Sequence, residues 1–177
     1  MKELIELARQ SIKCFLENRK LVVDELIKQK YNSKKACFVT LRINKHLRGC
    51  IGNLYPKREL WKDVVINAVN AAFFDPRFQP LSKQELEKIK IEISVLSKLK
   101  PLKYKDANEL KQKIFGKGVV IKKGTHVATY LPQVWQELPD PEIFLSSLCQ
   151  KAGLSKHAWK NENLEVFVYT ISKISED

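Results

Sequence analysis

The chain of 177 residues carries 32 Lys and Arg against 20 Asp and Glu, a net charge of +12 at pH 7, and is 44% hydrophobic. Such a length suits one core, with at most a small side lobe, that needs no metal or disulfide staple. Its apolar runs fall far short of the ~20 residues of a membrane span, which excludes an integral helical membrane protein.

The first predicted element is an amphipathic helix, with Leu4, Leu7, Ala8, Ile12, Phe15 and Leu16 at helical spacing and charged residues between them. Carboxylates interrupt Met1-Lys2-Glu3-Leu4-Ile5-Glu6-Leu7 where a secretory signal needs a continuous apolar stretch, so a cytoplasmic protein is expected. From Leu21 to Lys35 lysine predominates, and only a short helix or an ordered connection is predicted. Cys37, Val39, Leu41 and Ile43 then alternate as a strand, and Asn44-Lys45 turns the chain into a second strand over Leu47 to Leu54. A helix follows between Pro56 and Asp75, built on Leu60, Val64, Ala68, Ala71 and Ala72.

Ile89, Ile91, Ile93 and Val95 alternate with polar residues as a half-buried strand, closed by Pro101. Asp106 caps a short helix over Ala107 to Lys113, and a second hairpin joins Val119-Val120-Ile121 to Val127 through Leu131 across Gly124. Asp140-Pro141 opens another helix that Gly153 stops, and a last strand runs from Leu164 to Ile171. Strands come as hairpins and singles between helices, without the regular strand-helix repeat of a parallel sheet. The expected fold is therefore α+β, mostly antiparallel, with flanking helices.

The positive charge invites a nucleic-acid reading, but only six of the basic residues are Arg, and the lysines are interleaved with Glu. Arg supplies most bidentate contacts to phosphates and guanine edges, so a specific nucleic-acid role is disfavoured. Cys14, Cys37, Cys50 and Cys149 form no CxxC pair, and the three histidines have no ligand spacing, so neither a metal centre nor a cofactor is expected. P-loop, GxGxxG, HExxH and GxSxG signatures are absent.

Leu47-Arg48-Gly49-Cys50-Ile51-Gly52 carries more than a core strand needs. In an extended chain Arg48 and Cys50 share one face about 7 Å apart, and Leu47 and Ile51 face the core. A guanidinium beside a thiol favours the thiolate, and glycines at 49 and 52 mark a bulge or a close approach. The segment thus reads either as an anion anchor with a reactive sulfur or as a packed thiol beside a surface ion pair. Cys37, lying on the apolar stripe of its strand, and Cys14 and Cys149, lying in helices, read as packing. Asp75 and Arg77, separated by Pro76, form either a salt bridge closing a helix or a substrate clamp. Gln133, within Leu131-Pro132-Gln133-Val134-Trp135, either orients a ligand or binds backbone at a turn.

These segments, together with Pro80-Leu81, Ile91-Glu92-Ile93-Ser94-Val95-Leu96 and Lys151-Ala152-Gly153-Leu154, occur in the order seen in the AMMECR family, which the chain resembles over nearly its whole length. Prokaryotic members are called AmmeMemoRadiSam system protein A. The resemblance implies an α+β fold of a main and a smaller sub-lobe with a cleft between them, and no established activity. It also implies Memo-type and radical SAM partners. The motif positions carried over are Arg48, Gly49, Cys50, Gly52, Asp75, Arg77, Pro132, Gln133, Lys151 and Gly153. In two places the chain departs from many relatives: Tyr55 stands where they have Glu, and His46 where they have Gly. Two readings follow for the cleft. In one, a cytoplasmic enzyme or enzyme component binds a small anionic or polar substrate, with Cys50 catalytic and Arg48, Gly49, Gly52, Asp75, Arg77, Gln133 and Lys151 around the substrate. In the other, a non-catalytic adaptor holds a peptide or partner loop.

Overall fold

The computed structural model describes residues 1–161 and 163–176. The chain divides into two compact units, a larger one of Met1–Leu96 with the strand from Ser172 onward, and a smaller one of Ser97–Ile171. Each has an apolar cluster of its own, where the length alone suggested a single core.

In the larger unit, helix α1 (Lys2–Leu16) buries Leu4, Leu7, Ala8 and Ile12, the stripe its spacing predicts. Helix α2 (Glu25–Lys30) is capped by the Asp24 side chain. Strands β1 (Cys37–Ile43) and β2 (His46–Gly52) form the predicted hairpin. Asn44 and Lys45 both take positive φ, 48° and 69°, as a tight two-residue hairpin turn requires. Helix α3 (Leu60–Phe73) and the one-turn α4 (Lys83–Leu86) precede β3 (Lys90–Leu96).

Strand β4 is only Lys100–Pro101. The smaller unit continues with α5 (Ala107–Ile114), β5 (Gly118–Lys123), β6 (His126–Tyr130), a 3-10 turn at Pro132–Gln136, α6 (Pro141–Lys151), α7 (Ala158–Asn161) and β7 (Glu165–Tyr169). Asp106 and Asp140 cap α5 and α6, and Gly153 follows α6 at φ 76°, all as the sequence predicts. Strand β8 (Ile171–Ser175) returns to the larger unit.

Two four-stranded sheets result, ordered β2-β1-β3-β8 and β4-β7-β5-β6. In the first, Cys37, Val39 and Leu41 of β1 and Ile91, Ile93 and Val95 of β3 pack with α1 and α3 in one core. Phe38, Thr40, Glu92 and Ser94 therefore lie on the opposite face.

Two expectations are corrected. Pro101 does not close β3 but sits in β4, an edge strand of the second sheet, where a residue without N–H is tolerated. The single strand expected over Leu164 to Ile171 is two strands in two sheets. The chain leaves one for the other at Thr170, whose backbone is bonded to Ser97 on both sides, Ser97 N–H to Thr170 O at 2.9 Å and Thr170 N–H to Ser97 Oγ at 3.0 Å.

Candidate functional site

Strand β2 lies at the edge of its sheet, and its pairing with β1 is interrupted. Leu41 pairs with Gly49 and Arg42 with Leu47, so Arg48 is the extra residue of a β-bulge. The bulge breaks the alternation on which the sequence reading relied. Leu47, expected in the core, stands opposite Arg42 and is 38% exposed, whereas Ile51 does pack on the core. Gly49 faces α3, on the core side that the alternation already gave it, and a Cβ built on it would lie 2.1 Å from the Ala71 carbonyl oxygen. At Gly52 a Cβ would meet Phe38 Cγ at 2.4 Å and Cys37 O at 2.5 Å. Both glycines mark close approaches, the first of helix backbone to strand.

The bulged Arg48 pairs with Glu85. Its Nε donates to Glu85 Oε1 at 2.7 Å, and its Nη2 donates to Glu85 Oε2 at 3.0 Å and to Gln79 O at 2.8 Å. Glu85 also closes a capping box with Ser82, which presents its carboxylate from the first turn of α4. The Arg48 hydrogen bonds, and then those from Ser82, hold the Glu85 carboxyl down at about 2. Arg48 Nη1 is buried and has no hydrogen-bond partner among the described residues.

At the outer edge of β2, Cys50 N–H donates to Asp75 Oδ2 at 2.9 Å and Cys50 C=O accepts from Arg77 Nη2 at 3.2 Å. Asp75 also accepts from Arg77 Nε at 2.9 Å and Nη2 at 2.7 Å. The Asp75-Pro76-Arg77 turn thus takes the place of a neighbouring strand and closes the open edge at Cys50. The Asp75 side chain is 1% exposed, and the Arg77 hydrogen bonds pull its carboxyl down to about 2. Both guanidiniums lie near the Phe78 ring, Arg48 Cζ 5.8 Å and Arg77 Cζ 5.5 Å from its centroid.

These depressed carboxyls make an acid signature. A folded-state value below the unfolded one stabilises above the unfolded pKa, and the stabilisation disappears as pH falls through the folded value. Asp75, ordinarily near 3.8 and here about 2, should lose about 2 kcal/mol of stability between roughly pH 4 and pH 2. Urea titrations over that range should show a shallower pH dependence for Asp75→Asn than for the native chain. Parallel curves would remove Asp75 from this role.

Cys50 is placed differently from the expectation of an activated thiol. Its Sγ is 3.2 Å from Thr40 Oγ1, the residue opposite it on β1. Burial pushes the thiol up, and this outweighs the Thr40 hydrogen bond and the Arg77 charge, which pull it down. The pairing sets Cys50, Thr40 and Glu92 side by side across three strands, and Lys173 Nζ reaches Glu92 Oε2 at 2.6 Å. Thr40 and Glu92 are buried.

Sequence reasoning missed Glu85, Thr40 and Glu92. The capping-box pattern Ser82-Lys83-Gln84-Glu85 could have located the first, and the polar residues within two strongly apolar strands could have located the others. Gln133 and Lys151 lie in the smaller unit. Gln133 is in the 3-10 turn, and Lys151 Nζ donates to Thr129 O at 2.9 Å and sits 4.7 Å from the Tyr130 ring. Cys37 and Cys149 are fully buried, as their patterns predict, and Cys14 is partly buried. Among the described residues no helix is long and apolar enough to cross a membrane, and no group of three or more His, Cys, Asp or Glu could hold a metal ion.

The chain is an α+β protein of two antiparallel sheets, with a charge-paired arginine cluster on the bulged edge strand of the first. The AMMECR1 family pattern matches residues 5–174, and the chain belongs to that family. It is 38% identical over 178 residues to protein NEQ441 of Nanoarchaeum equitans, covering 98% of this chain and 99% of that one. With a protein of Aquifex aeolicus it shares 37% identity, over 96% of this chain and 89% of the relative. The crystal structure of the uncharacterized protein PH0010 from Pyrococcus horikoshii superposes with a TM-score of 0.91 at 31% identity, covering 99% of this chain and 90% of that one.

Proposed function

We propose that the chain is a non-catalytic binding module that receives an acceptor oxygen of a neutral polar group, such as a peptide or amide carbonyl, at Arg48. The observation that carries this reading is the buried Arg48 Nη1, a nitrogen with two N–H donors and no protein acceptor among the described residues. The other two guanidinium nitrogens are committed to Glu85 and Gln79, so the group is held in one orientation. Charge favours a neutral ligand over an anion, because Glu85 and Asp75 already offset Arg48 and Arg77. A protonated, partly buried Cys50 supports binding over thiol chemistry. A partner loop from the Memo-type or radical SAM proteins that the family resemblance implies would present such a carbonyl.

Arg48→Lys keeps the charge toward Glu85 and removes Nη1. N-acetyl tripeptide amides titrated against the 15N-labelled protein should shift the Arg48 Nε–H resonance saturably, while inorganic phosphate should not, and Arg48→Lys should abolish the peptide-induced shifts elsewhere in β2. A stronger response to phosphate would make this an anion site, and no saturable response would make the guanidinium purely structural. Iodoacetamide labelling reads the thiol separately. Cys50 should react more slowly than free cysteine up to about pH 9, at a rate that Arg48→Lys leaves unchanged. Fast labelling that levels off below about pH 8 would restore a thiol enzyme.

A further inference from the structure

The two edges of the first sheet are finished differently. Strand β2 is interrupted by a bulge and closed at Cys50 by Asp75 and Arg77. Strand β8, at the other edge, has no such closure among the described residues. Its course along β3 is fixed at both ends, where Ser97 N–H donates to Thr170 O at 2.9 Å and Glu176 N–H donates to Ile91 O at 3.0 Å. The two bonds are equally far apart along both chains, so no bulge shifts the register between them. Ser172, Ile174 and Glu176 therefore turn their backbone groups to β3, and Lys173 and Ser175 turn theirs outward. No described residue hydrogen-bonds to these outward N–H and C=O groups.

Side chains do not guard this edge either. Ser172, Lys173 and Ser175 are exposed. A lysine ordinarily wards off a further strand, but Lys173 Nζ is tied to Glu92 Oε2 at 2.6 Å. At the end of β8 a groove of about 910 Å³ is lined by Ser175 and Glu176 together with Ile5, Ile27 and Ile89. These isoleucines and Ile174 belong to the core beneath α1, which puts the groove on the helix side of the sheet. Donors and acceptors that recur at every second residue, about 7 Å apart, match an extended main chain and no small molecule.

We infer that β8 receives an extended segment of another protein as a further strand of the first sheet. Main-chain hydrogen bonds to Lys173 and Ser175 hold the segment, and its side chains level with Ile174 and Glu176 turn to the helix side, where the groove takes an apolar one. A second copy of this chain fits poorly. Full overlap of two β8 edges sets Lys173 against its own counterpart and brings two chains of +12 together. The Arg48 site lies at the opposite edge of the sheet and shares no group with β8, so either proposal can fail alone.

Selection of displayed random peptides, each about ten residues long, against the native chain tests the inference. Enriched sequences should alternate apolar with polar residues and favour Val, Ile, Thr and Tyr. With a selected peptide bound, the Lys173 and Ser175 amides should exchange with solvent about 10-fold or more slowly. Ser175→Pro removes an outward N–H and leaves the ladder to β3 intact, so its urea midpoint should match the native one. It should bind the peptide about 10-fold or more weakly, whereas Ser175→Ala, which keeps the N–H, should bind as the native chain does. If Ser175→Pro does not fold, amide exchange in the native chain decides alone. No enrichment, enrichment at helical spacing, unchanged exchange at Lys173 and Ser175, or equal binding by a folded Ser175→Pro overturns the proposal. A dimer in sedimentation that Ser175→Pro abolishes would identify a second copy and overturn it equally.

Discussion

Gly49→Ala should destabilise the protein by about 3 kcal/mol or more, at or beyond the upper end of what overpacking ordinarily costs. The added Cβ would stand 2.1 Å from Ala71 O and 3.0 Å from Ala71 C, both atoms of the α3 backbone. A flexible side chain could swing aside, but a helix carbonyl can move only with its helix. Helix α3 is held at both ends of this contact. Leu81 N–H reaches Ala72 O at 2.8 Å, and Asn67 Nδ2 reaches Cys37 O at 3.1 Å. The strand cannot retreat either, since Cys50 next to Gly49 is pinned by Asp75 and Arg77. Ala71→Gly should fail to rescue, because the clashing oxygen is present whatever residue stands at 71. Equilibrium urea unfolding of the single and double variants decides the matter, and a loss below about 1 kcal/mol would show that helix and strand separate readily.

Asp63→Ala should cost about 3 to 5 kcal/mol, the range for removing one member of a buried charged network. Asp63 is fully buried in α3. Its Oδ2 accepts from Cys37 N–H at 3.2 Å and from Asn67 Nδ2 at 3.1 Å, and its Oδ1 accepts from Asn53 Nδ2 at 2.6 Å, with Arg58 Nε at 3.5 Å. Truncation would remove the acceptor of the buried Cys37 N–H and one of the two acceptors of the buried Asn67 Nδ2, and orphaning buried donors is costly. Burial, and after it the Asp63 charge, also pushes the Cys37 thiol far up, which makes this sulfur inert. Asp63→Asn keeps one acceptor oxygen and should fall between the native chain and Asp63→Ala. An urea midpoint for Asp63→Ala close to the native one would show that the network is dispensable.

Local chemistry made much of the fold legible. Positions 37, 39, 41 and 43 repeat with period two, and Asn44-Lys45 tolerates positive φ, so the first hairpin follows from pattern and turn preference alone. Asp106, Asp140 and Gly153 likewise act within one turn of their own positions. The motif around Cys50 was legible as unusual, because two glycines in one strand need a reason.

What the sequence determined by itself was the longer helices and the two hairpins, their caps and turns, the α+β class and the segment on which a site could form. Each depends on neighbours within a few residues, where side-chain period and backbone preference act directly. The tertiary structure alone decided what that segment's groups do. The bulge at Arg48 shifts the alternation so that its guanidinium meets Glu85, 37 residues on. Asp75 and Arg77 close the edge at Cys50 from 25 and 27 residues away, and Thr40 comes to the thiol across a strand pair. Hydrogen-bond partners, burial and hence the proton affinity of the sulfur are properties of atoms brought together across the chain. No spacing along one strand could report them.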